Sequence, residues 1–171
     1  LIDTVLHRDL ISCHDFTEFK ECVAKEISAE ARKINKRLVN IKYFPSPFMS
    51  AVLFEKDVSK GGKYNNFGIH GSGIATAADS MTAIKKYVFD QKSVTPKEMI
   101  QAVDSDFSGF PKLLHMLRFS TPKMGQNDSE ADEMGVFLLN AFANALKGMK
   151  NSRGGIYRAG TGTAMNYLRD V

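Results

Sequence analysis

The sequence predicts an α/β fold that is mostly helical and contains one or two short strands. Two observations lead to this prediction. Apolar side chains recur at three- and four-residue steps through most of the 171 residues, which is typical of amphipathic helices. Nine of the thirteen glycines fall in two stretches, residues 61–73 and 154–162. Because glycine lets another backbone approach closely, we expect these stretches to be irregular or extended and to face crowded surroundings.

The first long helix is predicted to begin near Phe16. Asp15 and Glu18 have the spacing of a capping box, and the apolar side chains continue at helical spacing as far as Leu38. A short helix follows, with Ser46 and Pro47 at its start, and is expected to end near residue 56.

One extended segment and four helices are predicted for the remainder. Residues 67–76 have mostly short, uncharged side chains with a weak alternation of apolar and polar types, and this segment is expected to be extended. Asp79 is expected to cap the next helix, over residues 80–89, whose buried side would be formed by Met81, Ile84 and Val88. The three further helices are predicted over residues 95–107, 111–119 and 128–148.

The last helix is unusually apolar. Residues 136–146 are apolar on nearly every side, which is typical of a helix that is buried all round. The chain also starts at Leu1, with neither an initiating Met nor a signal-peptide pattern. We therefore expect residues 1–171 to be a single partial domain, cut from a longer cytoplasmic polypeptide.

Composition limits the possible classes of protein. Hydrophobic residues make up 43% and charged residues 25%, as in globular proteins, and no apolar run approaches the roughly 20 residues that cross a bilayer. The net charge of +4 arises between Lys25 and Lys42, where six side chains are basic and two acidic. We interpret this run as a solvated helix surface, because no aromatic residue within it offers a base a stacking platform. Neither a nucleic acid nor a membrane is expected as a partner.

The two cysteines show no catalytic or metal-binding spacing. Cys13 and Cys22 lie nine residues apart, outside any disulfide or zinc pattern, and fit a reducing compartment. Cys13 precedes His14, but adjacent side chains usually point apart, so we expect a structural or surface thiol. Cys22 is expected in the core. No metal site is predicted.

Five strings occur in a fixed order along the chain and together resemble the glycyl radical enzymes, the pyruvate formate-lyase-like group. This group includes glycerol and diol dehydratases, choline lyase and arylacetate decarboxylases, and the resemblance spans about residues 16–168. The strings are Pro45-Ser46-Pro47-Phe48-Met49-Ser50, Gly61-Gly62-Lys63-Tyr64-Asn65, Gly71-Ser72-Gly73-Ile74-Ala75 with the following Ala78-Asp79-Ser80-Met81-Thr82, Thr121-Pro122-Lys123-Met124-Gly125-Gln126-Asn127-Asp128, and Arg153-Gly154-Gly155.

The resemblance implies a ten-stranded α/β barrel wrapped by helices, in which a loop with a catalytic Cys meets a loop with a radical-bearing Gly. It also implies an activating enzyme that uses S-adenosylmethionine and an iron–sulfur cluster to install the glycyl radical. A homodimer of the full enzyme, a small organic substrate and a role in anaerobic metabolism are implied as well. The barrel would keep water and oxygen away from the radicals.

Both reactive loops are missing from this sequence. Neither Cys13 nor Cys22 stands in the family's Gly-Cys-Val-Glu context, and no glycine stands in an Arg-Val-x-Gly-Tyr context. We expect a segment of the barrel wall and substrate cavity that binds no cofactor, holds no catalytic residue and is inactive on its own. The remainder of the barrel would be its first partner.

Three residues are expected at the substrate cavity: His70, Thr161 and Thr163. A histidine titrates near neutrality and can donate or accept a proton, although a structural role is the commoner one. The two threonines could hydrogen-bond substrate oxygens, or serve only as strand residues. Where this chain has Thr161-Gly162-Thr163-Ala164, the diol-dehydratase pattern has the bulkier Leu-Tyr-Ser-Val. This departure argues against glycerol or diol dehydration and for a larger cavity.

Two alternatives from other classes stay open on the sequence. Gly71 and Gly73 precede a predicted helix as in phosphate- or dinucleotide-binding turns, but Thr76 stands where the third glycine belongs. A non-catalytic helical interaction domain is the other alternative. Within the enzyme family, the sequence does not choose among dehydration, decarboxylation, carbon–nitrogen cleavage and acyl transfer.

Overall fold

A computed structural model describes residues 1–38, 44–53 and 57–161 of the chain. In these ranges the fold consists of seven α-helices, one 3₁₀ turn, one π-helical turn and two strands. The helices are α1 (Ile2–Asp9), α2 (Phe16–Leu38), α3 (Pro47–Leu53), α4 (Ile74–Ile84), α5 (Pro96–Asp104), α6 (Pro111–Phe119) and α7 (Ser129–Leu146). The strands are β1 (Phe67–Gly71) and β2 (Tyr157–Thr161), the 3₁₀ turn is Val58–Lys60 and the π-helical turn is Lys85–Asp90.

The long helix α2 begins where the capping pattern predicted. The carboxylate of Asp15 accepts a hydrogen bond from the backbone N–H of Glu18 at 2.9 Å. The carboxylate of Glu18 accepts from the N–H of His14 at 2.7 Å rather than from that of Asp15, so only half of the predicted capping box forms. This hydrogen bond lowers the pKa of Glu18.

The prediction for α4 was wrong at its start. The helix begins at Ile74, directly after Gly73, whose φ of 71° is the left-handed conformation that glycine adopts without strain. The extended segment therefore ends at Gly71 instead of Thr76. Asp79 lies inside the helix and caps nothing there. Its carboxylate accepts from the backbone N–H of Met124 at 2.8 Å and so ties α4 to the loop before α7.

The later helices begin where their start signals lie. Thr95 and Glu98 form a complete capping box on α5. The helix ends at Asp104, and residues 105–109 form turns instead of the predicted last helical residues. Pro111 opens α6, and Asp128 caps α7 by accepting from the N–H of Glu130. The helix expected over residues 80–89 is the end of α4 joined to the π-helical turn, and its expected buried side chains are buried: Met81, Ile84 and Val88.

The core lies where α2, α4 and α7 pack together with α1. Its fully buried side chains include Phe19, Val23, Met81 and Val5. In the described residues α7 is covered on one side, where Leu138 is buried, and uncovered on another, where Val136 is 56% exposed. Its burial on every side within a larger assembly stays a prediction. The helix α3 covers little, because Phe48 and Val52 are 89% and 81% exposed.

The strands β1 and β2 pair in parallel, although 85 residues lie between the end of β1 and the start of β2. The register sets Phe67 opposite Tyr157 and His70 opposite Gly160. Where the structure describes the chain, it contains no helix long and apolar enough to span a bilayer.

Candidate functional site

The two faces of the β1–β2 pair differ in what covers them. Phe67, Ile69 and Tyr157 point toward the helices, where they pack with Ala31 of α2 and Leu146 of α7. Tyr157 is almost fully buried and meets Phe67 edge to face, with ring centroids 5.9 Å apart. Because neighbouring residues of a strand point to opposite faces, the residues between them face away from the helices.

This second face, which we call the open face, consists of Gly68, His70, Arg158 and Gly160. In the parallel register Gly68 lies opposite Arg158, and His70 lies opposite Gly160. Three of the four residues are exposed, and the fourth, Gly160, is half-buried. The open face therefore carries two side chains that can form hydrogen bonds, an imidazole and a guanidinium, each opposite a glycine.

The imidazole of His70 lies across the neighbouring strand. Its Nδ1 is 2.6 Å from the backbone carbonyl oxygen of Thr161. A carbonyl can only accept, so Nδ1 carries the hydrogen and a neutral ring keeps Nε2 as its acceptor. A Cβ built on Gly160 would lie 3.5 Å from the ring, and one on Gly68 would lie 3.6 Å from Nε2. The imidazole thus rests over backbone that has no side chain of its own.

Of the two threonines expected at the substrate cavity, only Thr161 lies among the described residues. Thr161 ends β2, is exposed, and falls by alternation on the side of Tyr157 and the helices; its main chain holds His70. Thr163 lies outside the described residues. The structure therefore joins His70 to the backbone of Thr161, and the substrate-binding role of all three stays a prediction.

A cleft of about 530 Å³ lies beside the end of β1. Its wall includes His70 and Gly71, the carboxylate residues Asp3 and Glu30, and apolar side chains of the surrounding helices, among them Ile27, Ile74, Leu138 and Phe142. The imidazole is the titratable group that connects this cleft to the open face.

The Arg-Gly-Gly motif holds the two glycine-rich stretches together, a role that the sequence did not predict. Asn151 is buried and donates from Nδ2 to the carbonyl of Asn65 at 2.5 Å. Its Oδ1 accepts from the N–H groups of Arg153 and Gly155 at 2.9 and 3.1 Å. The Arg153 guanidinium donates to the carbonyl of Ser59. We call Asn151, Arg153 and Gly155 the strand clamp, because they fix the start of β2 against the start of β1.

The cysteines lie apart from this site, against the helical core. Burial, and next the neighbouring Cys22, raise the pKa of Cys13 to about 11, so its thiol stays protonated at neutral pH. This fits the structural role expected for both cysteines. Within the described ranges, no three His, Cys, Asp or Glu residues are grouped as metal ligands.

Comparison with known proteins identifies a family whose profile covers nearly the whole chain and relatives that match about two thirds of it. The profile of the pyruvate formate lyase-like family matches residues 8–168. A trans-4-hydroxy-L-proline dehydratase of Clostridioides difficile is 38% identical over 123 residues, which are 68% of this chain and 16% of that protein. A (2S)-3-sulfopropanediol dehydratase of Klebsiella oxytoca is 35% identical over 123 residues, 68% of this chain and 15% of that protein.

A solved structure agrees with the sequence relatives. The hydroxyproline dehydratase from Clostridioides difficile, crystallised with trans-4-hydroxy-L-proline bound, superimposes with a TM-score of 0.82 at 30% identity. The match covers 92% of this chain and 24% of that chain. The sequence matches span about a sixth of the length of the curated relatives, and the structural match spans about a quarter of the solved chain.

Proposed function

Because the chain belongs to the pyruvate formate lyase-like family of glycyl radical enzymes, we propose that it forms part of the barrel wall of such an enzyme. Two of its relatives are dehydratases by name, and the mostly helical fold matches a segment of their barrel. The proposed reaction is a dehydration or a related lyase reaction of a small organic substrate. Family membership favours this proposal over a phosphate-binding module or a non-catalytic helical domain.

The two-faced β1–β2 pair is the observation that supports the wall role. One face is packed by α2 and α7, and the other is open and carries His70 and Arg158. In an α/β barrel the helices lie outside the strands, so the open face of this pair would look into the lumen. A barrel strand also needs a neighbour on each side, and in the described ranges β1 and β2 have only one another.

Exposed apolar side chains support the need for further chain. Phe44, Phe48 and Val52 are at least 80% exposed on and beside α3. Large apolar side chains clustered in water are unfavourable, and they mark surfaces that pack against other protein. We propose that the remainder of the barrel covers them, and that the segment is inactive without it.

The chemistry that starts the reaction belongs elsewhere in the enzyme. A glycyl radical supplies hydrogen-atom abstraction, and no residue of this chain stands in the sequence context of the radical Gly or of the catalytic Cys. What this chain's residues would do is bind and orient the substrate and exclude water from the lumen. An S-adenosylmethionine-dependent activating enzyme, a homodimeric parent and a cytoplasmic location belong to the same proposal.

His70 is the proposed substrate contact of this segment. With Nδ1 engaged by the carbonyl of Thr161, Nε2 is the free nitrogen and accepts a hydrogen bond from a substrate hydroxyl. The same bond fixes the orientation of the ring, so this acceptor is preorganised. Thr161 serves this contact through its backbone carbonyl, which holds His70, and Thr163 is kept as a further substrate contact in the proposal.

Radical formation in the full-length protein tests the proposal. The protein would be incubated anaerobically with its activating enzyme and S-adenosylmethionine and then examined by electron paramagnetic resonance. We expect the doublet of a glycyl radical, and no signal from the 171-residue chain treated in the same way. Absence of an organic radical in the full-length protein would contradict the proposed family chemistry, and a radical on the short chain would contradict its inactivity.

A further inference from the structure

The orientation of the His70 imidazole depends on the register of the two strands. Its Nδ1 is 2.6 Å from the carbonyl oxygen of Thr161, although the residue opposite His70 is Gly160. Residues two apart on a strand are separated by about 6.6 Å. A slip of β2 by two residues would therefore carry the carbonyl out of hydrogen-bonding distance, and the ring would lose the partner that fixes its tautomer.

A tight turn cannot set this register, because 85 residues lie between the end of β1 and the start of β2. The open face does little to set it, since two of its four residues are Gly68 and Gly160, which have no side chains to interlock. Glycine-rich strands have weakly specified registers and are prone to slip. On the other face, Phe67 and Tyr157 contribute an aromatic contact across the pair. The pair therefore depends on contacts at its ends for a unique register.

Asn66 supplies such a contact. It directly precedes β1, and its Oδ1 accepts a hydrogen bond from the backbone N–H of Ile156 at 3.1 Å. The N–H of the next residue, Phe67, donates to the carbonyl of the same Ile156 at 3.0 Å. Two consecutive residues therefore hold both backbone groups of Ile156, and a slip in either direction would break both bonds. Asn66 is exposed, so its side chain contributes through this bond rather than through burial in the core.

We propose that Asn66 is a positioning residue, which sets the register of β2 on β1 and thereby holds the His70 imidazole with its hydrogen on Nδ1 and with Nε2 as its acceptor. The importance of this orientation for the reaction rests on the proposed function, in which Nε2 contacts the substrate. The fixed tautomer does not depend on that function, so it can be tested separately.

The tautomer of His70 in the full-length protein tests the inference without catalysis. The protein would be labelled with nitrogen-15 in its histidines and examined by magic-angle-spinning NMR at about pH 8, where an ordinary histidine is neutral. The His70 signals would be assigned by their loss in His70→Gln. In the wild type we expect two well-separated nitrogen signals, one from the protonated Nδ1 and one from the bare Nε2. In Asn66→Ala the two signals should move toward each other, because the ring then exchanges between its tautomers.

Three further variants make the result specific. Asn66→Asp keeps an acceptor oxygen and should keep the separated signals. Asn140→Ala removes an amide from the exposed side of α7 and should keep them as well. Ile156→Pro removes the N–H that Asn66 binds, at the edge of a strand, where proline is tolerated, and it should reproduce the effect of Asn66→Ala. This last variant keeps the test decisive if Asn66→Ala does not fold.

Turnover of the activated enzyme, measured per glycyl radical, gives a second readout. Asn66→Ala should lower kcat/KM about threefold to tenfold. The double variant with His70→Leu should be no slower than His70→Leu alone, because Asn66 acts through His70. A merely structural role of Asn66 would instead make the two losses multiply.

Well-separated signals in both Asn66→Ala and Ile156→Pro would overturn the inference, and so would a double variant whose two losses multiply in full. If His70→Leu alone leaves turnover unchanged, the proposed substrate contact fails, while the NMR signals still decide the role of Asn66. The two failures are therefore distinguishable.

Discussion

The carbonyl oxygen of Asn65 lies only 2.0 Å from the position that a Cβ on Gly155 would occupy. No real Cβ atom tolerates an oxygen at that distance, so position 155 admits only glycine while the two glycine-rich stretches pack as they do. This close approach holds the chain just before β1 against the chain just before β2. The second glycine of the Arg-Gly-Gly motif therefore serves the strand pairing itself.

Gly155→Ala should break the pairing of β1 with β2. The methyl group would displace the backbone of Asn65, and overpacking of this severity costs at least about 3 kcal/mol. Hydrogen exchange of the full-length protein, followed by mass spectrometry, should show faster exchange in peptides that cover residues 64–71 and 151–161. Gly68→Ala is the matched control, because its Cβ meets nothing closer than 3.6 Å. Unchanged exchange in Gly155→Ala would contradict the packing described here.

Asn151→Asp should loosen the same strand clamp by a different route. The new carboxylate keeps the acceptor for Arg153 and Gly155 but loses the donor to the carbonyl of Asn65, and it sets two oxygens against each other. An unsatisfied buried carbonyl costs about 1–3 kcal/mol. Thermal unfolding of the full-length protein should show the loss, whereas Asn140→Asp, on the exposed side of α7, should change little. An equal effect of both variants would argue against a specific role of Asn151.

The sequence predicted the helices whose start signals are local. Pro47, Pro96 and Pro111 each stand at the first residue of a helix, and Asp128 caps another. The start of α4 was predicted wrongly because Asp is a preferred N-cap residue and Asp79 precedes a run with helical spacing. Its carboxylate instead binds the N–H of Met124, 45 residues away, and a contact at that separation leaves no local pattern.

Of the two polar side chains on the open face, the sequence analysis named only one. His70 could be named in advance, since an imidazole in a glycine-rich stretch is conspicuous by itself. Arg158 could not be named in advance, because its position on the open face depends on how β2 pairs with β1, where it lies opposite Gly68. That pairing is fixed by long-range contacts such as the hydrogen bond from Ile156 N–H to Asn66 Oδ1. In the sequence, the spacing of Arg158 and Gly160 indicates only that they share one face of a strand. Which face that is becomes known only from the helices that cover the other one.

Under the proposed function, in which His70 contacts the substrate, His70→Leu should lower kcat/KM of the activated enzyme at least tenfold, because the substrate hydroxyl would lose its acceptor. His70→Gln offers a polar group near the former Nε2 and should recover part of the activity. Both variants should form as much glycyl radical as the wild type, since His70 belongs to neither reactive loop. Full activity in His70→Leu would show that the imidazole does not contact the substrate.

The ion pair between His7 and Asp104 should stabilise the protein only at lower pH. Nε2 of His7 is 2.7 Å from the carboxylate of Asp104, and Nδ1 is 2.8 Å from the carbonyl of Asp3. Both partners are acceptors, so they favour the doubly protonated ring, and the Asp104 hydrogen bond is the main cause of a raised His7 pKa. A raised pKa means that the stabilisation is complete below the ordinary value of 6.5 and is lost as the pH rises through the folded-state value.

Thermal unfolding of His7→Gln and the wild type at several pH values measures this effect. The difference in Tm should be largest below pH 6.5 and should shrink above it. His115→Gln is the control, because the His115 ring contacts that of Phe119 in a tilted arrangement and forms no ion pair in the described part of the chain. A Tm difference for His7→Gln that stays constant with pH would exclude the ion pair as its source.

Cys13 should resist alkylation at neutral pH in the native protein. Burial raises its pKa to about 11, so at pH 8 only about one thiol in a thousand is the reactive thiolate. Iodoacetamide labelling of the full-length protein, read peptide by peptide by mass spectrometry, should be slow at Cys13 and should accelerate as the pH approaches 11. Cys22→Ala removes the second cause of the shift and should make Cys13 react at lower pH. Rapid labelling of Cys13 at pH 7 would instead mark it as an activated thiol and reopen its assignment as a structural residue.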